Sequence, residues 1–324
     1  MNPDIYVIIE HLRGQVSDIS YVMVAAARLL AQGTGGKVVA VFLGHIAQTL
    51  VGDMAADQVL HLDHPSLSDF TSDAYLKALA GVISKNAPRV VLFGHTSVGM
   101  DVASGLSAQL GLPLVSQCRN VRIDDSALKF ISQICGGKIM AEGVLPVPTA
   151  LITMVPGGFK SDQGRSAQPP ELTPITVPTM EGLRVTLKQY VEPESGDVDI
   201  SKEPILVSVG RGIQNQDNIE LAQELADALG GVVCASRPVV DQGWLPSSRL
   251  VGKSGKSVKP KVYLAMGISG APEHTEAITE SETIIAINTD SSAPIFNLAN
   301  YGTTVDLFDL VPALTEQVQQ AKSG

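Results

Sequence analysis

Aromatic residues are scarce in this chain of 324 residues, at 4% of positions, and charged residues reach only 17%. So few aromatics argue against an aromatic-rich sandwich. The abundance of Gly, Val, Ala and Ile suits buried parallel strands covered by Ala-rich helices instead. Positive charge is also short, with 23 Lys and Arg against 33 Asp and Glu and a formal net charge of −10. Without a basic run, the chain lacks the phosphate-neutralising surface that sequence-independent nucleic-acid binding requires. The three cysteines, Cys118, Cys135 and Cys234, have no C-x-x-C spacing. They form neither a disulfide framework nor a metal site, and read as small buried hydrophobes in a reducing compartment. No apolar run approaches the roughly 20 residues that span a bilayer. Residues 4–10 have neither the basic leader nor the small-residue cleavage site of a signal peptide. The expectation is a soluble, cytoplasmic chain with no direct membrane insertion.

Hydrophobic residues make up 44%, and the length is about twice that of a typical single domain, so two domains are expected. In the first third, strand-like runs at 5–9, 37–43, 58–62 and 89–93 alternate with helical patterns at 19–31, 72–84 and 101–110, the first capped by Asp18. Such alternation implies a parallel sheet with helices on both faces. Residues 113–155 switch to short β-rich runs separated by Asp124–Asp125 and Gly136–Gly137, read as added, partly antiparallel strands. Between 157 and 203 prolines accumulate (Pro169, Pro170, Pro174, Pro178, Pro193), which marks a strap or linker with one strand at 184–190. The final third restarts the alternation, with strands at 205–209, 232–234, 262–266, 283–287 and 303–307. Helices are expected at 216–229, 272–279, 294–299 and 312–320. The fold class is therefore α/β with two domains: a nucleotide-binding-like domain with its strap over 1–190, a linker over 191–203, and a doubly wound parallel-sheet domain over 204–324.

Ligands of doubly wound sheets bind beyond the carboxyl ends of the strands. Those ends carry Gly210-Arg211-Gly212, Ser236-Arg237-Pro238, Gly267-Ile268-Ser269-Gly270-Ala271-Pro272-Glu273-His274, Asn288 and Asp306, and a long loop adds Val251-Gly252-Lys253-Ser254. Glycines admit a pyrophosphate to the backbone, guanidinium groups pair with phosphate or lie over a planar ring, and Asn and Asp read sugar hydroxyls. The set suits a nucleotide or a flavin. Sharper motifs fail. A Walker A loop ending at Gly252-Lys253-Ser254 needs glycine where Ser247 stands, and a G-x-G-x-x-G starting at Gly210 needs it where Asn215 stands. His61-Leu62-Asp63-His64 lacks further metal-ligand spacing and reads as exposed loop histidines.

The order and spacing of Ser236-Arg237, Asp241-Gln242-Gly243-Trp244, Val251 to Ser254, Gly267 to Ala271, His274, Asn288, Ala293-Pro294, Tyr301-Gly302 and Asp306-Leu307 resemble the electron transfer flavoprotein α subunit over about the last 120 residues. The first domain fits more loosely, through Glu10-His11 and residues 94–101. The resemblance implies an FAD held chiefly by the C-terminal domain, in a heterodimer with an electron transfer flavoprotein β subunit. Such a pair carries electrons from flavin dehydrogenases, such as acyl-CoA dehydrogenases, to a quinone oxidoreductase. By resemblance, the FAD-binding positions are Arg211, Ser236, Arg237, Val251, Gly252, Lys253, Ser254, Ser269, Gly270, Ala271, Pro272, Glu273, His274, Asn288, Asp306 and Leu307. The resemblance also places Arg237 against the isoalloxazine, the Ser254 hydroxyl at flavin N5 and His274 near O2. A cation and a donor there would stabilise the negative charge that one added electron puts on N1 and O2. Lys253 and Glu273 depart from the family, which usually has neutral amides at those positions. Two alternatives stay open: a bifurcating complex oxidising NADH, and a nucleotide-hydrolysing enzyme built on the first domain.

Overall fold

The computed structural model describes residues 2–45, 48–125, 127–135, 137, 139–190 and 198–323. It divides into two compact units, 1–190 and 191–324. The linker proposed at 191–203 falls largely on 191–197, which lie outside the described residues, as does Gly136.

The N-terminal unit is built on β1 (Ile5–Ile9), followed by a small hairpin of β2 (His11–Leu12) and β3 (Gln15–Val16). Then come α1 (Asp18–Thr34), β4 (Val38–Gly44), β5 (Gln58–Asp63), α2 (Ser72–Asn86), β6 (Val90–Gly94) and α3 (Ser97–Leu110). β7 (Leu114–Asp124), β8 (Ala127–Ile134), β9 (Ile139–Val144), β10 (Ala150–Met154) and β11 (Glu171–Pro174) complete a nine-stranded sheet, ordered β11-β5-β4-β1-β6-β10-β7-β8-β9. β1, β4, β6 and β10 are buried along their whole length, as parallel strands covered on both faces must be. Alternation sorts them: Ile5, Val7 and Ile9 pack under α1, while Tyr6 and Ile8 pack under α2 and α3. β7, β8 and β9 pair antiparallel, as the change of pattern after 113 suggested.

Two expectations change here. The strap contributes its strand at β11, parallel to β5 on the sheet edge, and not at 184–190. Residues 184–190 instead dock on α2 and the turn before it: Arg184 bridges Asp73 at 2.7 Å, and the Tyr190 hydroxyl donates to Asp69 at 2.7 Å. Arg184 holds the Asp73 carboxyl down at about 2. His61 is not on a loop but in β5, 2% exposed and 5.4 Å from the Phe42 ring, with its pKa lowered by burial. Of the cysteines, Cys118 and Cys234 are buried and Cys135 is exposed. Asp18 lies in the first turn of α1 rather than at its cap, which is Ser17.

The C-terminal unit runs β12 (Ile205–Val209), α4 (Ile219–Leu229), β13 (Val232–Ala235), α5 (Arg237–Asp241), β14 (Val262–Met266), α6 (Pro272–Thr275), β15 (Thr283–Ile287), β16 (Tyr301–Thr303) and α7 (Leu307–Ser323). All five strands are parallel, in the order β13-β12-β14-β15-β16. Val207 and Val209 pack against Leu225 and Ala226 of α4 and Val311 of α7. The opposite face, with Leu206, Tyr263 and Ala265, is covered by Ala277, Ile278 and Ile295 from short turns. β16 ends at Thr303, and α7 starts at Leu307, five residues before the Pro312 expected to open it.

Candidate functional site

From β12 the chain goes outward to β13 at the edge, then returns across β12 to β14 on its other side. Strand order therefore reverses between β12 and β14, and a ligand crevice is expected beyond their carboxyl ends. A cleft of about 600 Å³ opens there, within the range of roughly 300–1,000 Å³ common for cofactor sites. Its floor is backbone against backbone. The amide of Gly210 donates to Met266 O at 2.8 Å and that of Gly212 to Gly267 O at 3.0 Å. A Cβ on Gly212 would lie 2.6 Å from the Gly267 Cα, so only glycine permits this approach. Gly267 and Gly270 adopt φ of +63° and +90°, and a Cβ on Gly270 would run into the Ile295 backbone.

The structure brings most of the predicted residues into this one cleft. Arg211 follows β12; Ser236 and Arg237 follow β13; Ser269, Gly270, Ala271, Glu273 and His274 follow β14; Asn288 follows β15. Val251, Gly252, Lys253 and Ser254 form the facing wall. Pro272, Asp306 and Leu307 are not part of the lining. The Asp306 carboxylate accepts from the Phe308 amide at 3.0 Å at the start of α7, and Leu307 is buried in the core behind it. The lining also takes in Pro238, Leu250 and Ile268, apolar neighbours of the polar positions that polar-motif reading passes over.

Arg237 and Ser254 meet at the cleft although 17 residues apart: guanidinium Nη1 donates to Ser254 Oγ at 3.0 Å, and Nε to Asp241 Oδ1 at 2.6 Å. The wall at 251–256 is held by its own backbone, with Lys256 N to Leu250 O at 2.8 Å, and by Lys253 N to Glu273 O at 2.7 Å. Arg211, Arg237 and Lys253 are exposed and put three positive charges around the opening.

His274, expected as a donor, lies in the lining with protein partners at both ring nitrogens. Its Nδ1 lies 3.1 Å from the Val251 carbonyl and its Nε2 lies 2.9 Å from the Tyr263 hydroxyl. The ring is 6% exposed, and burial lowers its pKa to about 4. It is therefore neutral at pH 7, not the cation that would meet negative charge most strongly. Tyr263 was missed by the sequence reading. The only signal for it is a hydroxyl in the middle of a fully apolar strand, which must find a partner once buried.

In the N-terminal unit the strand order reverses between β1 and β6, and there the crevice is filled. Glu10 is 8% exposed and accepts from the Thr96 hydroxyl at 2.9 and 2.8 Å. A Cβ on Gly94 or Gly99 would come within 2.6 or 2.8 Å of its carboxylate. Burial pushes the Glu10 carboxyl up to about 7. A carboxylate packed into the place where a doubly wound sheet receives phosphate argues against a nucleotide-hydrolysing site on this unit. Among the described residues there is no cluster of three His, Cys, Asp or Glu side chains able to hold a metal ion, and no helix long and apolar enough to cross a membrane.

Comparison with known proteins points the same way. The electron transfer flavoprotein domain matches residues 5–180, and the electron transfer flavoprotein FAD-binding domain matches 199–279. The chain is 35% identical, over 99% of its own length and 97% of the relative's, to the acryloyl-CoA reductase electron transfer subunit beta of Anaerotignum propionicum. It is 35% identical to the electron transfer flavoprotein subunit alpha of Thermoanaerobacterium thermosaccharolyticum, covering 98% of each chain. The subunit alpha of Bacillus subtilis is 32% identical, with 99% of this chain and 98% of the relative covered. Matches that run through both units, with a cofactor cleft where the second match lies, mean that the chain belongs to the electron transfer flavoprotein α-subunit family.

Proposed function

We propose that this chain is the FAD-carrying half of a heterodimeric electron carrier, paired with an electron transfer flavoprotein β subunit. In this reading it receives electrons from flavin dehydrogenases, acyl-CoA dehydrogenases among them, and passes them to a quinone oxidoreductase. The observation that carries the reading is the glycine-floored cleft at the β12/β14 reversal, with Arg211, Arg237 and Lys253 around it, inside the segment that matches an FAD-binding domain.

The residues present fit FAD. A floor that a single Cβ would obstruct suits close backbone approach to a pyrophosphate, and exposed cations suit its charge. Arg211, Ser236, Ser269 to Ala271 and Asn288 would hold the phosphates and sugar hydroxyls. Val251 to Ser254 and Arg237 would border the ring, with the Ser254 hydroxyl as a donor and the Arg237 guanidinium as the nearby positive charge. When bound, FAD supplies the electron-accepting and electron-donating chemistry. A carrier of this kind binds and orients its cofactor and leaves bond-making to its partners. The name of one relative, a subunit of an electron-transfer assembly around acryloyl-CoA reductase, supports a multi-subunit setting.

Co-expression with a β subunit tests the proposal. A yellow complex is expected, with one flavin per α chain, reduced by a flavin dehydrogenase plus its substrate and not by NADH alone. Direct bleaching by NADH would favour the bifurcating alternative. A colourless complex would overturn the reading.

A further inference from the structure

The cleft has two walls that come from different parts of the unit: the Val251–Ser254 segment and the start of α6. His274 joins them, and what sets its ring lies one layer deeper. The Val251 carbonyl can only accept, so at 3.1 Å the imidazole Nδ1 must carry the proton. A neutral ring then presents a lone pair at Nε2, and the Tyr263 hydroxyl, 2.9 Å away, donates to it. Tyr263 is fully buried in β14, where Ser208 and Cys234 also lie beside its hydroxyl, and of these neighbours the neutral imidazole is the strongest acceptor for its proton. The titratable groups around the ring are Tyr263, Cys234 of β13 behind that hydroxyl, and Lys253 and Glu273 in the adjoining turns. Beside the imidazole clamp, the Lys253 amide ties the same wall to Glu273 O at 2.7 Å.

We infer that Tyr263 is the positioning residue of this cleft: its hydroxyl fixes His274 as the neutral Nδ1–H tautomer, and the ring thereby clamps the Val251–Ser254 wall to α6. The clamp stands on these contacts within the chain and does not rest on the flavin reading above.

The test uses the full chain in its complex with the β subunit, with ¹⁵N-labelled histidine. At pH 5.5–8 the His274 ring should show a protonated Nδ1 and an unprotonated Nε2. Amide hydrogen exchange supplies the second reading. Tyr263→Phe should speed exchange at 251–254 by about tenfold relative to the β12–β14 core, the loss expected from one buried hydrogen bond. His274→Asn puts an amide nitrogen at the Nδ1 position and should keep the wall protected, whereas His274→Leu should release it. An imidazolium or an Nε2–H tautomer in the wild-type complex would overturn the inference, as would Tyr263→Phe leaving both tautomer and relative exchange unchanged. If the complex holds no flavin while the tautomer and the exchange pattern hold, the function fails and the clamp stands. If flavin is bound and the ring is cationic, the clamp fails and the function stands.

Discussion

Replacing Glu10 with glutamine should flatten one part of the chain's pH–stability profile. The carboxyl is 8% exposed, and burial raises its pKa from 4.5 to about 7, against the opposing pull of the Thr96 hydroxyl and the Gly94 amide. The folded chain thus binds this proton more tightly than the unfolded chain does. Its stabilising effect is complete below pH 4.5 and fades as the pH rises through 7, and the gap between those values corresponds to about 3 kcal/mol. Glutamine keeps the shape and an acceptor for Thr96 but cannot ionise. The difference in unfolding free energy between wild type and Glu10→Gln, followed by urea denaturation, cancels every other titrating group. It should move by about 3 kcal/mol in favour of the variant between pH 4.5 and 8. A difference that stays constant across that range would refute the reasoning, and would mean that Thr96, Gly94 and the start of α3 stabilise the anion as well as water does.

Gly270→Ala combines a φ of +90° with a Cβ driven into the Ile295 backbone; it should cost at least about 1–3 kcal/mol and strip FAD from the purified complex. Normal stability and full flavin content would contradict that. Arg89→Met removes a guanidinium that is 8% exposed and donates to Leu145 O at 2.9 Å and Pro146 O at 2.7 Å; a loss of about 2–3 kcal/mol by denaturation is expected. Arg237→Ala should lower the potential of bound flavin by about 40 mV, the one-electron equivalent of roughly 1 kcal/mol for a charge pair in a water-like dielectric, since Arg237 is exposed at the cleft. An unchanged potential in a spectroelectrochemical titration would refute that role.

Buried parallel strands announce themselves in sequence because both faces must be apolar, and so β1, β12, β14 and β15 lie within the runs that predict them. The cleft was readable for a related reason. A doubly wound sheet places its ligand at strand ends, and Gly210 to Gly212 and Gly267 to Glu273 stand directly after strands. Helix ends were harder. Pro312 reads as a start, since proline suits the first turn, yet α7 carries it inside, supported by packing of Leu307 and Val311. The strap misled for the opposite reason: the alternating Arg184–Tyr190 segment pins itself to Asp73 of α2 and to Asp69 in the turn before it, and the proline-flanked 171–174 supplies the edge strand. His274 shows the limit most clearly. Its type and spacing place it at the cleft, but only three dimensions reveal that Tyr263 and Val251 occupy both of its nitrogens.

The most direct measurement is amide hydrogen exchange of the complex with and without FAD. Binding at the β12/β14 cleft should slow exchange at 211–213, 251–254 and 268–274, with the Gly212, Gly267 and Gly270 turns among the strongly protected positions. Protection confined to the ends of β1 and β6 in the N-terminal unit, or none in the C-terminal unit, would contradict it.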